Sequence, residues 1–155
     1  MKKVIIAIDY DPSAQKVAES GYSLARAMKA EIVLLHVIAE ASYYSSLEYS
    51  PVTGFAGYID MNPYRLESSD WVENASRKFL DETKKHLGDE KIVTMVKKGN
   101  LADAILTTAK ELKADMIVMG SHSRRWLEEI LMGSVTEKVL HHTSIPLFIV
   151  PIRKA

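Results

Sequence analysis

The sequence predicts a doubly wound α/β fold, a five-stranded parallel sheet in the order 3-2-1-4-5 with helices on both faces. Three observations carry this expectation. Four short apolar runs, Val4 to Ile8, Ile32 to Ile38, Met116 to Met119 and Leu147 to Val150, are nearly continuous where a half-exposed strand would alternate, which suits strands covered on both sides. Helical patterns separate them. The resulting β-α-β-α-β-α-β-α-β rhythm calls for crossover connections and a parallel sheet.

The first strand follows Met1-Lys2-Lys3, a start like that of a signal peptide, but Asp9 and Asp11 end the apolar run far short of a membrane span. The next segment repeats Ala14, Val17, Ala18, Gly21, Leu24, Ala25 and Met28 at three and four, as one face of a helix does. Val72, Ala75, Phe79, Leu80 and Leu87 form a second such face, and Ala102, Ile105, Leu106, Ala109 and Leu112 a third. Ile92 to Val96 is the weakest strand candidate. Asp70 with Glu73, Asn100 with Asp103 and Ser134 with Glu137 mark helix starts at or near the capping-box spacing.

A chain of 155 residues with 47% hydrophobic content fits one domain spanning 1–155, large enough to bury a core without disulfides or metal. The segment from Glu40 to Ser69 breaks the rhythm. It carries six aromatics, Tyr43, Tyr44, Tyr49, Phe55, Tyr58 and Tyr64, among Pro51, Gly54, Gly57 and Pro63, and reads either as an irregular surface excursion or as a lid over a ligand. Twenty basic and twenty acidic residues cancel, so no bulk field favours nucleic acid or an anionic membrane, and neither is expected as a partner. The absence of cysteine excludes thiol chemistry and agrees with a cytoplasmic location.

In open parallel sheets ligands sit beyond the carboxyl ends of the strands, where the strand order reverses. With the first and fourth strands as neighbours, that crevice lies between Asp9-Tyr10-Asp11-Pro12-Ser13 and Gly120-Ser121-His122-Ser123. Asp9 can accept hydrogen bonds from ribose hydroxyls, and Gly120 lets a ligand approach the backbone. The alternative for the first segment is a turn with a helix cap. Gly133-Ser134-Val135 opens a helix whose free N–H groups suit a phosphate, although Ser134 with Glu137 also reads as a capping box that keeps the hydroxyl for the helix itself. His36, His122 and His141-His142 lack metal-ligand spacing, and no metal site is expected. The Walker pattern and Gly-x-Gly-x-x-Gly after the first strand are both absent.

Taken together, Ala7-Ile8-Asp9, Leu35-His36-Val37, Gly99-Asn100-Leu101-Ala102, Met119-Gly120-Ser121-His122, Leu131-Met132-Gly133-Ser134-Val135 and Ile145-Pro146-Leu147-Phe148-Ile149-Val150 resemble the universal stress protein family over essentially the whole chain. In its ATP-binding members the motif reads glycine, two residues, glycine, nine residues, then glycine with serine or threonine. The resemblance implies that Asp9 stands near ribose and adenine, that Ala7 and Val37 line the adenine pocket, that Met119 and Gly120 flank the nucleotide, and that Gly133, Ser134 and Val135 meet the phosphates. The chain departs from the motif at the second glycine, where it has Ser123, and again at Trp126, where a further family glycine often falls. A serine at a glycine position of positive φ costs about 1 kcal/mol, while its hydroxyl and the neighbouring Arg124 and Arg125 offer donors that a glycine lacks.

The function expected on this basis is binding of an adenine nucleotide, ATP with or without Mg2+, in a regulatory or stress-response role without catalysis. A hydrolytic version would draw on His122, Glu128 or Glu129, none of which has an evident partner. The alternative is a protein-interaction module of the same fold that no longer binds nucleotide. In either case Leu147 to Val150, an apolar edge strand between Pro146 and Pro151, implies a homodimer. A phosphoacceptor receiver domain is set aside, because Lys97-Lys98-Gly99 stands where its acceptor aspartate belongs.

Overall fold

The computed structural model describes residues 1–10, 12–39, 53–54, 57–58, 69–121 and 134–152. In chain order the elements are β1 (Lys3–Ala7), α1 (Ala14–Ala27), β2 (Glu31–Ile38), the short pair β3 (Thr53–Gly54) and β4 (Gly57–Tyr58), α2 (Ser69–Leu87), β5 (Val93–Lys98), α3 (Leu101–Glu111), β6 (Met116–Gly120), α4 (Ser134–His142) and β7 (Leu147–Val150). The main sheet has five strands in the order β5-β2-β1-β6-β7, and every pairing in it is parallel. That is the expected 3-2-1-4-5 arrangement, counted along the strands of this sheet. The β3–β4 pair is antiparallel and lies inside the long segment after β2, where no strand was expected.

The central strands are buried as their composition requires. Val4, Ile5 and Ile6 are fully buried, and β2 is covered from Ile32 to Val37. Successive residues feed two separate cores, since side chains alternate across a strand. On one face Val4, Ile6, Ile8 and Leu34 pack with Ala14, Val17, Ala18 and Ala25 of α1 and Phe79 and Leu80 of α2. On the other, Ile5, Val33, Leu35 and Ile117 pack with Ala102, Ile105 and Ala109 of α3 and Val139 of α4. Helix α1 lies close to the sheet because Gly21 has no Cβ, which would stand 2.9 Å from Ile6 Cδ1 and 3.0 Å from Val118 Cγ1.

Three boundaries differ from expectation. The weakest strand runs from Val93 to Lys98, two residues further than its apolar run, because pairing with Val37 and Ile38 carries Lys97 and Lys98 into the ladder whatever their polarity. Helix α2 opens at Ser69, which places Asp70 in its first turn. Ser13, at the N-cap of α1, has helical backbone angles and makes no side-chain cap bond, so the capping explanation of that turn is not realised there. Asn100 does cap α3, with its side-chain oxygen accepting from the Asp103 N–H at 3.1 Å.

The turn between β5 and α3 depends on Gly99, whose φ is +123° and whose N–H donates to the Ile38 carbonyl at 3.0 Å. A Cβ there would meet nothing within 4 Å, so the cost of Gly99→Ala is one of backbone conformation alone. We expect this variant to lose about 1–3 kcal/mol in chemical denaturation with an unchanged denaturant slope.

Candidate functional site

The two cores define where a ligand can bind. Strand β1 is followed by α1 on one face of the sheet, and its neighbour β6 is followed by α4 on the other. Helices α1 and α4 therefore follow adjacent strands on opposite faces, the arrangement that sets a ligand crevice at the switch point of doubly wound sheets in general. Asp9 stands at the exit of β1, Gly120 ends β6, and α4 opens at Ser134.

Ala7, Val37, Met119 and Val135 come from β1, β2, β6 and α4 and meet in the same core, that of the α3/α4 face. Val37 and Met119 are buried and Ala7 and Val135 partly so, which gathers four apolar side chains where β1, β2 and β6 end and α4 begins. Asp9 is half-buried at its margin, and its Oδ1 accepts from the Tyr10 N–H at 2.7 Å. Gly120 has a reason to be glycine inside the fold. A Cβ there would stand 3.0 Å from Val17 of α1 and 3.2 Å from Ile152, so packing of the strand end crowds any side chain at this position and would have to shift to take one. Ser123 and Gly133 lie outside the described residues, as do His122, Arg124, Arg125, Trp126, Glu128 and Glu129 and nearly all of the segment from Glu40 to Ser69.

Several residues that shape the crevice were not legible as site residues. Thr136, in the first turn of α4, is buried and donates through Oγ1 to the Gly120 carbonyl at 2.8 Å, tying the helix start to the end of β6. Ser121 is buried beside it. Its N–H donates to the Val150 carbonyl at 3.0 Å and its Oγ accepts from the Ile152 N–H at 2.8 Å, so the exits of β6 and β7 are joined. Lys16 reaches the same end of the sheet, donating to the Pro151 carbonyl at 3.0 Å. The sequence signal was a small hydroxylated residue close to two of the expected glycines, Ser121 next to Gly120 and Thr136 three residues after Gly133, which short-range patterns do not distinguish from turn chemistry.

On the opposite side of β1, His36 is buried at 1% exposure, and its Nδ1 lies 3.0 Å from the Ile8 carbonyl, an acceptor that requires the proton on Nδ1. Its ring packs on Tyr10 at 4.4 Å and on the edge of Phe79 at 5.7 Å. Burial holds its pKa below the ordinary 6.5, against opposing effects of the Asp9 charge and the Ile8 hydrogen bond. The imidazole is therefore neutral near pH 7. Among the described residues no cluster of three or more His, Cys, Asp or Glu side chains could hold a metal, and no helix is long and apolar enough to cross a membrane.

The topology and the two cores together define a doubly wound α/β protein. The model of the universal stress protein family matches residues 1–151, and the chain belongs to that family. A universal stress protein of Bacillus subtilis is 31% identical over 96% of this chain and 97% of its own length, and one of Methanocaldococcus jannaschii is 29% identical over 96% and 94%. A solved structure of the M. jannaschii protein superposes with a TM-score of 0.74 at 25% identity, covering 99% of this chain and 98% of that one. Two more distant structures share the fold. One is a universal stress protein in complex with cAMP, at 19% identity and TM-score 0.63, covering 97% of this chain and 96% of that one. The other is the Archaeoglobus fulgidus protein in complex with dAMP, at 15% and 0.56, covering 96% and 97%.

The buried imidazole makes a pH prediction. Its folded pKa is below 6.5, so the unfolded chain binds the proton first, and the stability this group contributes is complete above about pH 6.5 and is lost as pH falls through and below that value. Denaturation followed between neutral pH and about pH 5 should show declining stability, and His36→Leu should flatten that decline. An equal slope in both proteins would assign the decline to other groups.

Proposed function

We propose that the protein binds an adenine nucleotide, ATP with or without Mg2+, in the crevice between the exits of β1 and β6, and that it acts in stress response by binding and not by turnover. The observation that carries this reading is the convergence of Asp9, the apolar shelf of Ala7, Val37, Met119 and Val135, and the start of α4 on one switch point. A carboxylate suits ribose hydroxyls, an apolar shelf suits a purine, and a helix start suits a phosphate. The cAMP and dAMP complexes of distant relatives agree with an adenine nucleotide as the ligand class. The residues that fit ATP in particular are Gly133 and Ser134 in the family spacing from Gly120.

Ser123, at the second glycine of that spacing, favours a second reading in which the fold serves protein interaction without nucleotide. The two separate in a titration of ATP by calorimetry, with mass spectrometry of small molecules released from the purified protein. The nucleotide reading predicts saturable binding, weakened about tenfold by Ser134→Ala if one phosphate hydrogen bond is lost, and tightened several-fold by Ser123→Gly. A folded sample that binds no ATP at about millimolar concentration, some 4 kcal/mol of affinity, supports the interaction module.

Both readings include a homodimer through β7. This strand pairs with β6 at one edge of the sheet, and Phe148 at its middle is 39% exposed. An apolar edge strand is a template for a second copy. Sedimentation should give a dimer that Phe148→Glu converts to monomer, whereas a concentration-independent monomer mass for the unmodified chain would rule the dimer out.

A further inference from the structure

We infer that His36 is a positioning residue for Asp9: by holding the residues on either side of it, the imidazole sets where that carboxylate meets the ribose hydroxyls of the ligand. The inference rests on the nucleotide reading for its ligand, and on hydrogen-bond geometry for everything else. The ladder between β1 and β2 runs as far as the Ile8 N–H, which donates to the Leu35 carbonyl at 2.9 Å. The Ile8 carbonyl takes the His36 Nδ1–H at 3.0 Å, a side chain holding the strand at the residue where the regular pairing stops. Asp9 is the next residue.

The residue after Asp9 is held by the same ring. Tyr10 is buried against the imidazole at 4.4 Å and against Phe79 at 4.8 Å, and its hydroxyl donates to Ser76 Oγ of α2 at 2.7 Å. Ser76 passes the chain on, donating to the Val72 carbonyl at 2.9 Å. The Tyr10 N–H in turn donates to Asp9 Oδ1. Residues 8 and 10 thus both rest on His36, and the carboxylate between them is fixed by the N–H of one of them. A leucine would fill the same apolar strand position, as Leu34 does two residues earlier on the same face, but it would leave the Ile8 carbonyl without this donor. The histidine also leaves a cost unmet, because among the described residues its Nε2 is buried with no hydrogen-bond partner. Stability alone does not favour such a residue here.

The test compares the unmodified chain with His36→Leu, replaced by His36→Met should the leucine variant not fold, and with His36→Asn, whose amide can donate from the Nδ1 position. ATP and 2′,3′-dideoxy-ATP, which lacks both ribose hydroxyls, are titrated into each. Exchange of the Tyr10 amide is read by NMR against that of Ile117 in the core. The apolar variant should lose about tenfold in affinity for ATP, the worth of one hydrogen bond, and little for the dideoxy nucleotide. It should speed Tyr10 exchange while leaving Ile117 protected, and His36→Asn should restore most of both. Equal losses for the two nucleotides, or acceleration of both amides alike, would overturn the inference. If the unmodified chain binds neither nucleotide, the nucleotide reading fails by itself. The exchange result then still decides whether His36 positions Asp9.

Discussion

The structure depends on the pairing of β1 with β6 at the centre of the sheet. Val4, Ile5 and Ile6 of β1 lie opposite Met116, Ile117 and Val118, and the flanking strands β2 and β7 extend this pair outward. The helix after β1 and the helix after β6 cover opposite faces, so the order of the sheet reverses at the central pair, the place where doubly wound sheets take their ligands. Burial of both faces makes the middle of β1 and β6 apolar, and so the polar groups that a ligand needs at this pair stand at the strand ends. Asp9 and the first turn of α4 occupy those ends.

What holds the crevice in shape is a small set of side-chain bonds to backbone carbonyls and amides. Thr136 fixes the start of α4 to the end of β6, Ser121 joins that end to the exit of β7, and His36 holds the exit of β1. Each bond is worth about 1 kcal/mol in net stability, too little to account for the fold, but each settles the direction of a segment that has left the regular ladder. Gly120 and Gly21 act by the space they leave, allowing α1 to sit against β1 and β6. The neutral imidazole adds a pH dependence to this arrangement, since protonation would place a charge where burial opposes it.

The fold was legible in the sequence because its main signal is local. Continuous apolar runs such as Ile32 to Ile38, set between helical patterns, suffice for a parallel sheet, and the order of β5-β2-β1-β6-β7 agrees with that reading. The end of β5 was not legible, since Lys97 and Lys98 join the ladder through their backbone. The apolar residues expected at the site, Ala7, Val37, Met119 and Val135, came through the family resemblance, and the structure gathers them into one core. The contacts of Thr136, Ser121 and Tyr10 escaped because their partners are distant in sequence, as with the separation of 66 between Tyr10 and Ser76. Gly120 was legible as a glycine with a purpose. Its packing against Val17 and Ile152 arises only in the folded chain, from residues far away in sequence.

The central claim is that a nucleotide binds at the switch point between β1 and β6. Amide chemical shifts measured during addition of ATP test it most directly, because they report location without relying on a variant. The account predicts that the largest changes fall together at Asp9, Tyr10, Gly120, Ser121 and Val135, from both sides of the crevice, with Ile92 and Leu112 at the far ends of the sheet and of α3 unchanged. Saturable changes confined to another surface would contradict it, as would no change in a folded sample.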